Sequence, residues 1–104
     1  MSLTERGDNR FQCVAILAER DVMRYSPAGI PIVAAKLVHE SDQVEAGISR
    51  RVVFEIAALA AGEIAQQLEQ EKLGSECRFT GFLARKNRNS RSLIFHLTSI
   101  ENIQ

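Results

Sequence analysis

The run SPAGIP at residues 26–31 constrains this chain most. Pro27 and Pro31, its two prolines, each fix φ and lack a backbone donor, and Gly29 between them reaches positive φ at no steric cost. Neither a helix nor an uninterrupted strand passes through such a segment, so it predicts a tight hairpin connection between two strands. The flanking runs fit that reading. Residues 11–18 (FQCVAILA) alternate as a strand, with Phe11, Cys13, Ala15 and Leu17 on one face and Val14 and Ile16 on the other. Both faces are apolar, which asks for a core on one and a second cover on the other. That cover is either a partner subunit or the curvature of a barrel closing over the strand.

Residues 32–40 (IVAAKLVHE) set Val33, Ala35 and Leu37 against Lys36 and Glu40, the pattern of a half-buried strand. A polar stretch with Glu40, Asp42 and Glu45 runs as a loop to Gly47. A third strand follows in RRVVFEI, with Val52, Phe54 and Ile56 on one face and Arg51, Val53 and Glu55 on the other. From Ala57 the composition turns to Ala, Leu, Gln and Glu, which predicts one helix with Ala61, Ile64 and Leu68 on a shared face and Gly74 as its stop. Residues 77–84 (CRFTGFLA) and 93–100 (LIFHLTSI) read as a last hairpin around the basic segment RKNRNSRS. Three strands, a helix and two strands make a mainly β chain in the element order of a five-stranded OB-fold barrel, with the helix between strands three and four.

With 104 residues, 45% apolar and 25% charged, the chain has the size and balance of one globular domain, expected over residues 9–104 after a flexible N-terminal segment at 1–8. No window reaches the length of a membrane helix, and the start is polar where a secretory leader would be apolar, so a cytoplasmic protein without membrane contact is expected. Cys13 and Cys77 lie in apolar runs and read as buried thiols of a reducing compartment.

The run MRYSPAGIPIVAAKLVHES resembles the first hairpin of bacterial single-stranded DNA-binding proteins, and more closely that of the primosomal replication protein N family. The residues that carry the likeness are Ser26, Pro27, Gly29, Ile30, Pro31, Leu37, His39, Ser41, Glu45, Ala46 and Gly47. A second match is TGFLARK at residues 80–86, leading through a basic loop to Ile100 and Ile103, so the resemblance covers residues 9–103. It implies a homodimeric OB-fold protein of the replication-restart primosome, binding single-stranded DNA and assisting the primosomal helicase. Departures are visible, and the helix between the third and fourth strands looks more like that of single-stranded DNA-binding proteins than like the shorter connection of some primosomal relatives. Some relatives carry aromatic rings where this chain has Ile48 and Val53, and without rings to stack on bases the binding leans on charge.

Thirteen basic and thirteen acidic residues cancel, so distribution decides what the charge does. Arg85, Lys86, Arg88 and Arg91 fall within seven residues free of acid, on an expected hairpin tip suited to phosphate contacts, with Asn87, Asn89 and Ser90 interspersed for further phosphate and sugar contacts. Lys36, Arg50 and Arg51 belong to the two strands that would form the binding face, and Arg24 precedes the SPAGIP turn. Each taken singly is as well read as an outward solvated charge. Tyr25 reads as a half-buried anchor of the turn more than as a stacking ring. Glu63, Glu69, Glu71 and Glu76 gather about the helix, so a dipolar surface with a basic hairpin end is expected.

Catalytic and metal signals are weak. Neither cysteine stands in a CxxC or CxxH spacing, His39 and His96 are distant in sequence, and phosphate-loop, dinucleotide and nucleophile-elbow motifs do not occur. The expectation is no enzyme and no cofactor. A second reading makes the chain a protein-protein adaptor of the primosome with little DNA binding of its own, and a third an RNA-binding barrel, for which the clustered aromatics are lacking.

Overall fold

The computed structural model describes residues 7–103, so most of the expected flexible segment at 1–8 lies outside the described residues. The order is β1 (Phe11–Arg20), β2 (Arg24–Tyr25), β3 (Pro31–Glu45), β4 (Ile48–Ala61), α1 (Glu63–Gln70), β5 (Glu76–Arg85) and β6 (Leu93–Asn102). Strands lie in the sequence β1, β5, β6, β4, β3, and β1 also pairs with β3, which closes the sheet into a five-stranded barrel with the OB order of connections. The closing seam between β4 and β6 is parallel and short, with Ala58 opposite Phe95 and Leu59 opposite His96.

Alternation fills the interior. Ala15 and Leu17 of β1, Val33 and Leu37 of β3, Ala58 and Ala60 of β4, Cys77 and Phe79 of β5, and Phe95 and Leu97 of β6 are all buried. The helix caps one end through Ala65 and Leu68, and at its C-terminal end Arg20 donates to the carbonyls of Glu71 and Leu68, the latter also accepting from the Glu71 amide.

Four expectations change. The SPAGIP segment joins the short added strand β2 to β3 rather than two main strands: Ser26 N donates to the Ile30 carbonyl (2.9 Å), the Ser26 hydroxyl accepts from Ile30 N (3.1 Å), and Gly29 takes φ 81°. The acidic stretch expected as a loop continues β3 to Glu45. Ala46 (φ 53°) and Gly47 (φ 75°) then form a two-residue turn, positive at both positions as the twist of a hairpin requires. The helix begins at Glu63 rather than Ala57. Ala57 to Ala61 instead pair with Ile32 to Lys36, because small side chains let β3 and β4 curl tightly around the core, and that packing overrides alanine's helix propensity. Tyr25 is exposed rather than half-buried.

Candidate nucleic-acid interface

A groove of about 610 Å³ opens on the outer surface of the barrel. Its floor is Ala34 and Lys36 of β3, Ala57 and Leu59 of β4, and Ile94 and His96 of β6. Asp21 comes from the connection after β1, Arg24 from the short strand β2, and Lys86 from the loop between β5 and β6. These two loops and this face are where OB barrels grip oligonucleotides. Of the residues singled out from the sequence, the fold brings Arg24, Lys36 and Lys86 together here, although they are far apart in the chain.

Arg85 ends β5, and Lys86, Arg88 and Arg91 occupy the following loop, all exposed. Among the described residues no carboxylate pairs with any of these four, nor with Arg24. The polar residues between them serve the loop itself. Asn87 accepts from Asn89 N through Oδ1 (2.9 Å), Ser90 accepts from Ser92 N through its hydroxyl (3.0 Å), and Lys86 N donates to the Ser92 carbonyl (3.0 Å). Asn87 and Ser90 therefore shape the tip that presents the arginines, where the sequence suggested phosphate contacts. At the start of β5 stands Glu76, with Glu63, Glu69 and Glu71 on or beside the helix, so a ten-residue strand of about 33 Å separates the acidic end from the basic loop.

The other three predicted cations are already engaged. Lys36 Nζ lies 3.4 Å from Glu55 and 4.0 Å from Glu19, Arg50 pairs with Glu45 at 2.7 Å, and Arg51 meets Glu40 at 2.7 Å and Asp42 at 3.4 Å. Pair register explains this: the turn at Ala46 and Gly47 sets Arg51 opposite Asp42 and Lys36 opposite Ala57. Alternation also sends Arg50 to the face opposite Arg51 and Lys36, and Ile48 to the face opposite Val53. Ile48 and Val53, both exposed, thus do not form one patch.

Two rings that the sequence reading passed over stand at the edge of the groove. Phe82 on β5 is paired in register with His96 on β6, and their rings are stacked at a 5° interplanar angle with centroids 5.0 Å apart. The reason is a bulge: pairing slips between Thr80 and Gly81, and a Cβ at Gly81 would sit 1.8 Å from the His96 carbonyl oxygen, so only glycine lets the two backbones approach there. The neighbouring Phe79, Phe95 and Leu97 point inward, which leaves Phe82 and His96 outward, the former 41% exposed. The alternation of LIFHLTSI carried that signal for His96. For Phe82 it was hidden by the apolar residues on both sides.

The second histidine is structural. His39 Nδ1 lies 2.6 Å from the Val14 carbonyl and must donate to it, which leaves Nε2 to accept from the Ser41 hydroxyl at 2.8 Å, while Phe54 stacks on the ring. Cys77 is buried. Its thiol is pushed up to about 11 by loss of solvent and then by the nearby Glu71 carboxylate, 3.6 Å from the sulfur. Burial also raises Cys13. Among the described residues no group of three His, Cys, Asp or Glu side chains is placed to hold a metal ion.

Comparison with known proteins agrees with this geometry. Residues 9–99 match the family described as "Another single-strand binding protein family". The replication restart protein PriB of Nitrosomonas europaea is 47% identical over 71% of this chain and 68% of its own length, and that of Bordetella pertussis is 40% identical over 91% and 89%. The solved structure of PriB from Ralstonia solanacearum superposes with a TM-score of 0.87 at 43% identity, covering 94% of this chain and 100% of that one. A barrel of the OB order, with a groove between its two loops and relatives that match along most of their length, identifies this chain as a member of the PriB family of replication restart proteins within the single-strand binding proteins.

Proposed function

We propose that the chain binds single-stranded DNA along the groove bounded by Arg24, Lys36 and Lys86, as a non-enzymatic component of the replication-restart primosome. Residues 9–104 act as one OB-fold domain in the cytoplasm, assisting the primosomal helicase alongside other primosome proteins. The observation that carries the reading is that Arg24 and Lys86 line the groove, with Arg85, Arg88 and Arg91 beside Lys86 in the chain, and none of these five has an acidic partner among the described residues. Lys36, Arg50 and Arg51 contribute less, since each would have to exchange a carboxylate for a phosphate. A salt series of binding to single-stranded against double-stranded oligonucleotides tests it. Preference for single strands that fades as salt rises supports the proposal, and equal affinity for both forms refutes it.

A homodimer is part of this proposal. Residues 11–15 of β1 have β5 as their one strand partner, so their other edge is met only by the His39 bond to the Val14 carbonyl among the described residues, and Val14 and Ile16 stay half-buried on the outer face. A second copy laid along β1 would satisfy both. Sedimentation should give twice the chain mass at micromolar concentration, and Val14→Glu should give the monomer; a wild-type monomer would remove this element. The adaptor reading is favoured by one observation, the exposed apolar side chains Val44, Ile48 and Val53 on the β3–β4 arm beyond the barrel. Capture of primosome proteins that survives nuclease, with negligible DNA binding at physiological salt, would replace the first reading by this one.

A further inference from the structure

We propose that Phe82 and His96 form a stacking platform for a nucleobase, so that the strand path crosses from the β3–β4 floor over β6 to β5; this rests on the single-strand reading above. Register places Ala34 beside Leu59, Leu59 beside His96, and His96 beside Phe82, one continuous outward row across four strands. At the β3 end of that row lie the groove cations Lys36 and Arg24, and Lys86 lies above its β6 segment. The β5 end carries the two parallel rings. Their 5.0 Å separation is close to the spacing of neighbouring strands, so the stack is held by the ladder itself and stands ready without rearrangement. Phe82 caps no core: Leu83 beside it packs against the interior, while the Phe82 ring remains 41% exposed on a face otherwise floored by alanine and leucine. A flat apolar ring next to phosphate-binding cations suits a base whose backbone those cations hold, and stacking of this kind is indifferent to base identity.

The platform also answers the missing rings at Ile48 and Val53: the aromatic surface of this chain lies on the other side of the groove. Phe82→Ala and Phe82→Leu should each weaken binding of oligo-dT at fixed salt by about five- to hundred-fold. The slope of log K against log salt and the melting temperature should stay near wild type, because no phosphate contact or core contact is removed. The chain contains no tryptophan, so Phe82→Trp supplies a single indole whose emission oligo-dT should quench, while an abasic oligomer of equal length should not. Wild-type affinity in Phe82→Leu, or equal quenching by the abasic oligomer, overturns the platform while leaving the single-strand reading intact. A wild-type protein that binds no oligo-dT at low salt overturns both.

Discussion

Replacing Arg85, Lys86, Arg88 and Arg91 together by alanine separates the free cations from the compensated ones. Of the eight cations considered for the interface, those four and Arg24 lack acidic partners among the described residues, whereas Lys36, Arg50 and Arg51 sit within 4.0 Å of carboxylates. A cation already neutralised releases little extra salt when a phosphate takes the carboxylate's place, because the carboxylate must then recruit a counterion itself. At about 0.7 per phosphate on single strands, five free cations give a slope of log K on log salt of about −3.5 per groove, and the quadruple variant keeps about −0.7. Raising salt from about 50 to about 200 mM should therefore weaken the wild type about a hundred-fold and the variant only two- to three-fold. The triple variant Lys36→Ala, Arg50→Ala, Arg51→Ala should retain a slope near wild type. Fluorescence anisotropy with a labelled oligo-dT short enough to occupy one groove reads both slopes. A quadruple variant that kept the wild-type slope, or a triple variant that lost as much of it, would refute the reasoning.

Two further outcomes concern stability. Gly81→Ala forces a Cβ to 1.8 Å from a backbone oxygen that no side-chain rotation can move, so β5 and β6 must part by over an ångström. Overpacking together with a weakened ladder bond predicts a loss of about 2–4 kcal/mol, a fall in Tm of roughly 10–30 °C, and a change within 4 °C would contradict it. The folded Cys77 thiol holds its proton up to about 11 against an ordinary 9.0, so the folded chain binds more protons than the unfolded one between those values. That stabilisation is complete below pH 9 and is lost as pH rises towards 11. Urea midpoints across this window should decline for the wild type and decline less for Cys77→Ala, and identical declines would exclude Cys77 as the source.

The barrel was readable because alternation survives over most of the main strands: Ala15, Leu17, Val33, Leu37, Phe95 and Leu97 fall inward as their spacing requires. Where reading along the chain failed, tertiary packing had taken over. Ala57 to Ala61 favour a helix in isolation and are held as strand by β3. The compensation of Arg51 follows from the turn at Ala46 and Gly47, and a loop assigned over residues 40–47 hides it, since without the register no acid stands opposite an arginine. The Phe82 and His96 stack depends on a slip in pairing at Gly81, marked in the sequence only by the change of phase from Phe95 and Leu97 to Ile100, which does not say which residue of β5 faces His96. The position of the basic segment between the last two strands was legible, being local, although the roles of Asn87 and Ser90 within it were not, whereas the groove assembles residues from several strands and the connections between them.

The short parallel seam between β4 and β6 ties ligand occupancy to the integrity of the barrel. Two register pairs hold it, Ala58 with Phe95 and Leu59 with His96, the fewest of any seam in the ring. Leu59 and His96 also face the groove. A strand of DNA lying over them would bridge the joint from outside, as a clasp does over a split ring. Opening of the seam and release of the bound strand would then be linked equilibria, occupancy lowering the population of the opened barrel.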